Sequence, residues 1–224
     1  MSLAVPSFAV SSFVVRVWLS DRPGALGQIA TVLGEAGVDL VGIDILERGA
    51  GRAIDEFLIE TTSPERITSV ERAIAALDGV DVEDIRPLGA VRRDPRLDSL
   101  ETAVALVECQ SIASLLLVLS NRGSHDFEAD WSVVFDHRSP VPLASTGAPP
   151  DNSWLAAFVS GSKSSIAHSA AVFDVLWANL PAADLTLVMG RTTRPFRARE
   201  KRQATALVRI ADARWQQLME RSGH

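Results

Sequence analysis

Residues 21–40 are Asp21-Arg-Pro-Gly-Ala-Leu-Gly-Gln-Ile-Ala-Thr-Val-Leu-Gly-Glu-Ala-Gly-Val-Asp-Leu40. Pro23 fixes φ for entry into a helix. Gly24 has no side chain, so another molecule can approach the backbone closely. Leu26, Ile29, Ala30 and Leu33 recur at helical spacing, and Gly37 ends the run as a C-cap. The first N–H groups of such a helix have no internal partner, and its positive end attracts a carboxylate or other anion. The same residues also admit a plainer reading, a strand-to-helix turn with Asp21 as its cap.

The neighbours on both sides complete a pattern. Phe13 to Leu19 alternates as a strand, with Val15, Val17 and Leu19 on one face. Leu40 to Leu46 reads as a second strand, Gly49-Ala-Gly51 as a hairpin turn, and Ala53 to Glu60 as a third strand carrying Ile54, Phe57 and Ile59. Ser63-Pro64 has the form of an N-cap followed by proline at N1. Ile67, Val70, Ile74 and Leu77 then follow helical spacing, Asp78-Gly79 turns the chain, and Val80 to Ile85 closes as a fourth strand. The order β-α-β-β-α-β within about 75 residues is a ferredoxin-like arrangement.

The turn Asp21-x-Pro-Gly24-x-Leu26, the helix after it and Gly37-Val-Asp39-Leu40 resemble the signature of the ACT domain family. The resemblance spans residues 13–88 in order and spacing. It implies a regulatory module that senses an amino acid or similar small molecule, pairs with a second copy, and holds its ligand at the contact between copies. Carried over position by position, it points to Asp21, Pro23, Gly24, Ala25 and Leu26 in the turn, and to Asp39 and Leu40 at the second strand. Amino-acid-binding members often have Asn where this chain has Asp21 and Asp39. A carboxylate there suits an ammonium group and repels a ligand carboxylate.

Pro87 to Pro95 carries Pro, Gly and three charges, and residues 89–96 read as a linker. The second region, residues 97–220, reads as a separate α+β domain with an antiparallel sheet and a long final helix. Leu97 to Leu119 has the spacing of one helix. Asp130 to Phe135, Leu143 to Ser145, Val172 to Trp177 and Leu185 to Met189 read as strands, Trp154 to Val159 as a short helix, and Pro195 to Arg221 as a long one. The stretch Asp184 to Phe196, with Glu200 and the long helix after it, resembles a GAF-type sensor domain. No ligand carries over from that resemblance.

Composition narrows the possible functions. Residues 13–88 hold 14 Asp and Glu against 7 Arg, and the rest holds 14 against 15 Lys and Arg. The acidic first region argues against nucleic acid as a partner. Cys109 is the one cysteine, so neither a disulfide framework nor a cysteine metal cluster is expected. The longest apolar stretch, Ile112 to Leu119, falls far short of the ~20 residues that span a bilayer. The start of the chain lacks a basic segment and cleavage site, so the protein is expected in the cytoplasm.

Other constellations carry less. Arg191, Arg194, Arg197, Arg199, Lys201 and Arg202 cluster before and within the last helix, and read as a solvated loop and helix start more than as an anion patch. Ser160-Gly-Ser-Lys163 matches S-x-x-K, a nucleophile motif, without the companion motifs of such enzymes. His125, His137, His168 and His224 are scattered, with no spacing that implies a metal site. Trp131, Trp154, Trp177 and Trp215 read as core residues. The leading expectation is therefore a non-enzymatic regulator, without cofactor or metal, that binds an amino acid or similar small molecule and forms a homodimer. The competing expectations are a dimerisation or partner-docking protein without a ligand, and an enzyme whose site lies among the His and acidic residues of the second region.

Overall fold

Alternating apolar residues along β1 (Ser11–Ser20) place Val15, Val17 and Leu19 on one buried face. In the computed structural model, residues 10–88, 94–136, 138–139, 141–161 and 174–222 are described, residues 159–161 and 222 by their backbone. The chain divides into two units between Arg93 and Asp94, and the fold class is α+β in both.

In the first unit β1 leads to α1 (Ala25–Glu35), β2 (Asp39–Gly49), β3 (Arg52–Thr61), α2 (Ile67–Ala75) and β4 (Val80–Pro87). The antiparallel sheet has the order β2-β3-β1-β4, which is the ferredoxin-like arrangement. Ile29 and Leu33 of α1 and Val70 and Ile74 of α2 pack on Val15, Val17, Leu19, Phe57 and Ile59. β2 runs to Gly49 because Arg48 and Gly49 still pair with Ala53 and Arg52. The second helix starts later than its Ser63-Pro64 signal suggests. Ser63 makes no side-chain cap; its N–H donates to Thr61 Oγ1 at 3.1 Å, and its carbonyl accepts from Arg66 N–H at 3.0 Å. That tight turn makes Pro64–Arg66 a 3-10 segment, and α2 begins at Ile67.

The second unit contains α3 (Pro95–Glu108), α4 (Ile112–Asp126), β5 (Trp131–Asp136), β6 (Ala144–Gly147), α5 (Asn152–Gly161), β7 (Asp174–Leu180), β8 (Leu185–Arg191) and α6 (Ala198–Ser222). Its antiparallel sheet has the order β6-β5-β8-β7. The single helix expected over Leu97 to Leu119 is two helices. Cys109 is extended, and Ser111 starts α4 with a reciprocal cap: its hydroxyl accepts from Ser114 N–H at 3.1 Å, and Ser114 Oγ accepts from Ser111 N–H at 3.3 Å.

One face of this sheet joins Leu115, Leu119, Leu187, Ala204 and Ala211 in a core. The other carries Trp131, Val133, Phe135 and Val188, packed with Leu155 of α5. Gly190 lets the Trp131 ring lie against the backbone, since a Cβ there would stand 2.2 Å from it. Trp131 is buried and Trp154 and Trp215 half-buried, but Trp177 is 42% exposed, so it is not the core residue expected.

The basic cluster needs a similar correction. Arg191 is fully buried rather than solvated. Its guanidinium donates to the carbonyls of Phe127, Arg194 and Pro195 at 2.7–2.9 Å, pairs with Glu200 at 2.8 Å, and lies 3.9 Å from the Phe196 ring centroid. Arg194 is buried too and pairs with Glu128. α6 begins at Ala198 instead of Pro195, with Glu200 accepting from Arg197 N–H at 2.8 Å.

Candidate ligand-binding site

The turn between β1 and α1 opens a cavity of about 330 Å³ in the first unit. Its walls come from three places in the chain. The turn and helix start supply Asp21, Arg22, Pro23, Gly24, Ala25 and Leu26; β1 supplies Leu19 and Ser20; the β2–β3 hairpin supplies Ile45, Arg48, Ala53 and Asp55.

Gly24 is the N-cap of α1 and adopts φ 87°, ψ −11°. This is the left-handed region that favours glycine. A Cβ at Gly24 would meet nothing within 4 Å, so the position is open. No side chain caps α1. Ala25 N–H donates to the Arg22 carbonyl and Gln28 N–H to that of Gly24. A helix start without a capping side chain presents donors and positive potential to an anion.

Asp21 is not the helix cap. Arg48 grips both its oxygens, Nε to Oδ2 at 3.1 Å and a terminal nitrogen to Oδ1 at 2.5 Å. The Arg48 guanidinium lowers the Asp21 pKa from its ordinary value, and Asp21 raises that of Arg48. The pair thus offsets the charge that would otherwise repel a ligand carboxylate. Asp55 behaves differently: it is 2% exposed, and burial pushes its pKa up to about 6, against the pull of Arg48.

Of the seven residues singled out in the sequence, Asp21, Pro23, Gly24, Ala25 and Leu26 meet at this cavity. Asp39 and Leu40 do not. They pair with Glu60 and Ile59, whereas the end of the sheet beside the turn pairs Ser20 and Gly49 with Arg52. Asp39 is exposed and Leu40 half-buried at the opposite end of β2. Sequence reading missed Arg48 and Asp55. Asp55 had a signal, a carboxylate within the inward alternation of Ala53, Phe57 and Ile59. Arg48 had none, because only the hairpin register brings it to Asp21.

A second cavity of about 400 Å³ lies in the second unit, lined by Pro95, Arg96, Ser99, Arg199, Arg202 and Gln203. His125 lies on α4 beside Asp126, 3.1 Å from its carboxylate, and no group of three His, Cys, Asp or Glu placed to hold a metal ion occurs among the described residues. His137, His168, His224 and Lys163 lie outside the described residues, as do residues 89–93 of the expected linker. No described helix is long and apolar enough to cross a membrane.

Comparison with known proteins gives a family-model match within the first unit. No curated protein matches the chain. Among solved structures, the ACT domain from GTP pyrophosphokinase of Chlorobium tepidum is 15% identical, covering 38% of this chain and 92% of that chain at a TM-score of 0.29. A protein of unknown function from Galdieria sulphuraria is 16% identical, covering 92% and 94% at 0.32. The ligand-free regulatory subunit of aspartate kinase from Thermus thermophilus is 10% identical, covering 92% and 95% at 0.32. At such low identities and TM-scores, none of the three speaks to what this chain binds. The family model described as the ACT domain matches residues 13–79, the stretch that holds the β1–α1 turn and the whole cavity wall. Residues 13–79 thus resemble an ACT domain.

Proposed function

We propose that this chain is a non-enzymatic regulatory protein whose ACT domain binds a small molecule of the amino-acid class in the cavity beside Gly24. The observation that carries this reading is the wall itself: an uncapped helix start, opened by a left-handed glycine, lines a mostly apolar cavity within the ACT-matching residues. The site residues are Asp21, Pro23, Gly24, Ala25 and Leu26, with Arg48 and Asp55 added from the hairpin. A ligand carboxylate rests on the start of α1. The domain comprises residues 13–88, and residues 97–220 form the sensor-like unit it regulates or is regulated with. The lone, buried Cys109 fits a reducing, cytoplasmic setting.

A thermal-shift screen of the twenty amino acids at millimolar concentration tests this. A ligand at 100 times its Kd stabilises the folded state by about 2.7 kcal/mol, so a true ligand raises the melting temperature clearly. Unchanged melting with all twenty sinks the amino-acid reading.

A second reading, a dimerisation module, has its own observation. β2 is an edge of the sheet, and its Ile43 and Ile45 are 40% and 43% exposed. Pairing of two copies along this edge covers both. Asp39 and Leu40, on the same strand, then belong to the contact. Light scattering at micromolar concentration that finds a monomer removes this reading.

A further inference from the structure

β3 turns Ala53, Asp55, Phe57 and Ile59 toward the helices, opposite Leu19, Val17, Val15 and Phe13 of β1. Ala53, Phe57 and Ile59 join the core, but Asp55 forms part of the cavity wall. It is 98% buried, and among the described residues its Oδ1 has no hydrogen-bond partner. A buried carboxylate oxygen without a donor is costly, and the fold has donors nearby that it commits elsewhere. Arg48, from β2, is bound to Asp21, and Arg22, from the turn, donates to Gln28 Oε1 at 2.8 Å. Asp21, also from the turn, adds a like charge that Arg48 offsets.

A small cationic group with several N–H donors would satisfy Asp55 in both hydrogen bonding and charge. A hard metal ion asks for several oxygen ligands, and here one of the two carboxylates is already occupied by Arg48. The remaining wall is aliphatic, with Leu19, Ala25, Leu26 and Ile45. This combination suits a primary ammonium on a short apolar body.

We propose that Asp55 is the cation subsite of this cavity, binding the primary ammonium of a small aliphatic amino acid and excluding ligands that lack the amine. The assignment rests on the small-molecule reading above. Occupation by an ammonium holds Asp55 ionised, so binding is coupled to its proton. Because burial places the Asp55 pKa at about 6, affinity is full above that pH and falls by up to roughly tenfold per unit below it.

The test is calorimetric titration of the full chain with glycine, alanine, valine, leucine and isoleucine, each beside the carboxylate that lacks its amine. At least one amino acid binds at pH 7.5, and its deaminated counterpart binds at least about thirtyfold more weakly. Its affinity drops between pH 7 and pH 5. Asp55→Asn removes the pH dependence and most of the affinity while retaining a cooperative melting transition. Equal binding of a carboxylate and its amino acid, or unchanged affinity in Asp55→Asn, overturns the assignment and leaves the small-molecule reading standing. Binding of none of the probes overturns both for this ligand class. If Asp55→Asn does not fold, the matched ligands and the pH series on the unaltered protein decide the matter.

Discussion

Both units bury charged side chains, but on opposite terms. In the second unit Arg191 is enclosed by three carbonyls and Glu200, Arg214 donates twice to the Cys109 carbonyl, and Asp212 accepts from the N–H groups of Ala182 and Ala183. Each ties an element to a loop. In the first unit Asp55 is as deeply buried, yet its Oδ1 lacks a partner among the described residues. Its sequence neighbour Glu56 sharpens the contrast. Burial pushes the Glu56 pKa up, but Arg86 and Arg16 at 2.9–3.0 Å overcome this and hold it below its ordinary value. Partners, more than depth, separate a buried charge that the fold has satisfied from one that it has not.

The largest expected effect tests the partnered side. Arg191→Met removes a guanidinium that three carbonyls and Glu200 share, and should destabilise the second unit by about 3–5 kcal/mol in a denaturant titration. A cost under about 1 kcal/mol would break the comparison. Asp55→Asn should act in the other direction. The folded Asp55 pKa of about 6 lies above the ordinary 3.8. The folded protein therefore keeps a proton that the unfolded chain releases, and stability falls as pH rises through about pH 4 to pH 6. The substitution should add about 1–2 kcal/mol at pH 8, after discounting for partial solvent screening, and nothing at pH 4. A loss of stability at pH 8 would show that the carboxylate is structural. The smallest effect belongs to the cavity rim. Gly24→Ala meets open space and should cost only the strain of its backbone, about 1 kcal/mol. A much larger loss in thermal unfolding would mean that the turn is packed rather than open.

The first unit was largely legible because each strand and helix carries its own period and ends in Gly, Pro or Asp. Val15, Val17 and Leu19, and Ile29 with Leu33, lie in the core as their spacing implies. The break between α3 and α4 was hidden, since apolar residues keep helical spacing across it, and Ser111 caps with Ser114 instead of the usual Glu or Gln. The turn half of the candidate site was legible for a similar local reason: Asp21 to Leu26 is one continuous segment. Arg48 reaches it only through the fold of β2 and β3. Arg191 misled in the same way, because a run of arginines looks solvated until the carbonyls of Phe127, Arg194 and Pro195 are seen around it.

The Asp21–Arg48 pair has a consequence in time. It joins the turn to the hairpin beside the cavity, with the Arg48 side chain 60% and the Asp21 side chain 29% exposed. Both ends of the pair reach solvent, so salt screens its field. For an amine held at Asp55, the rate of arrival then depends on ionic strength at this rim. The rate of departure is governed by the buried carboxylate, where salt does not reach.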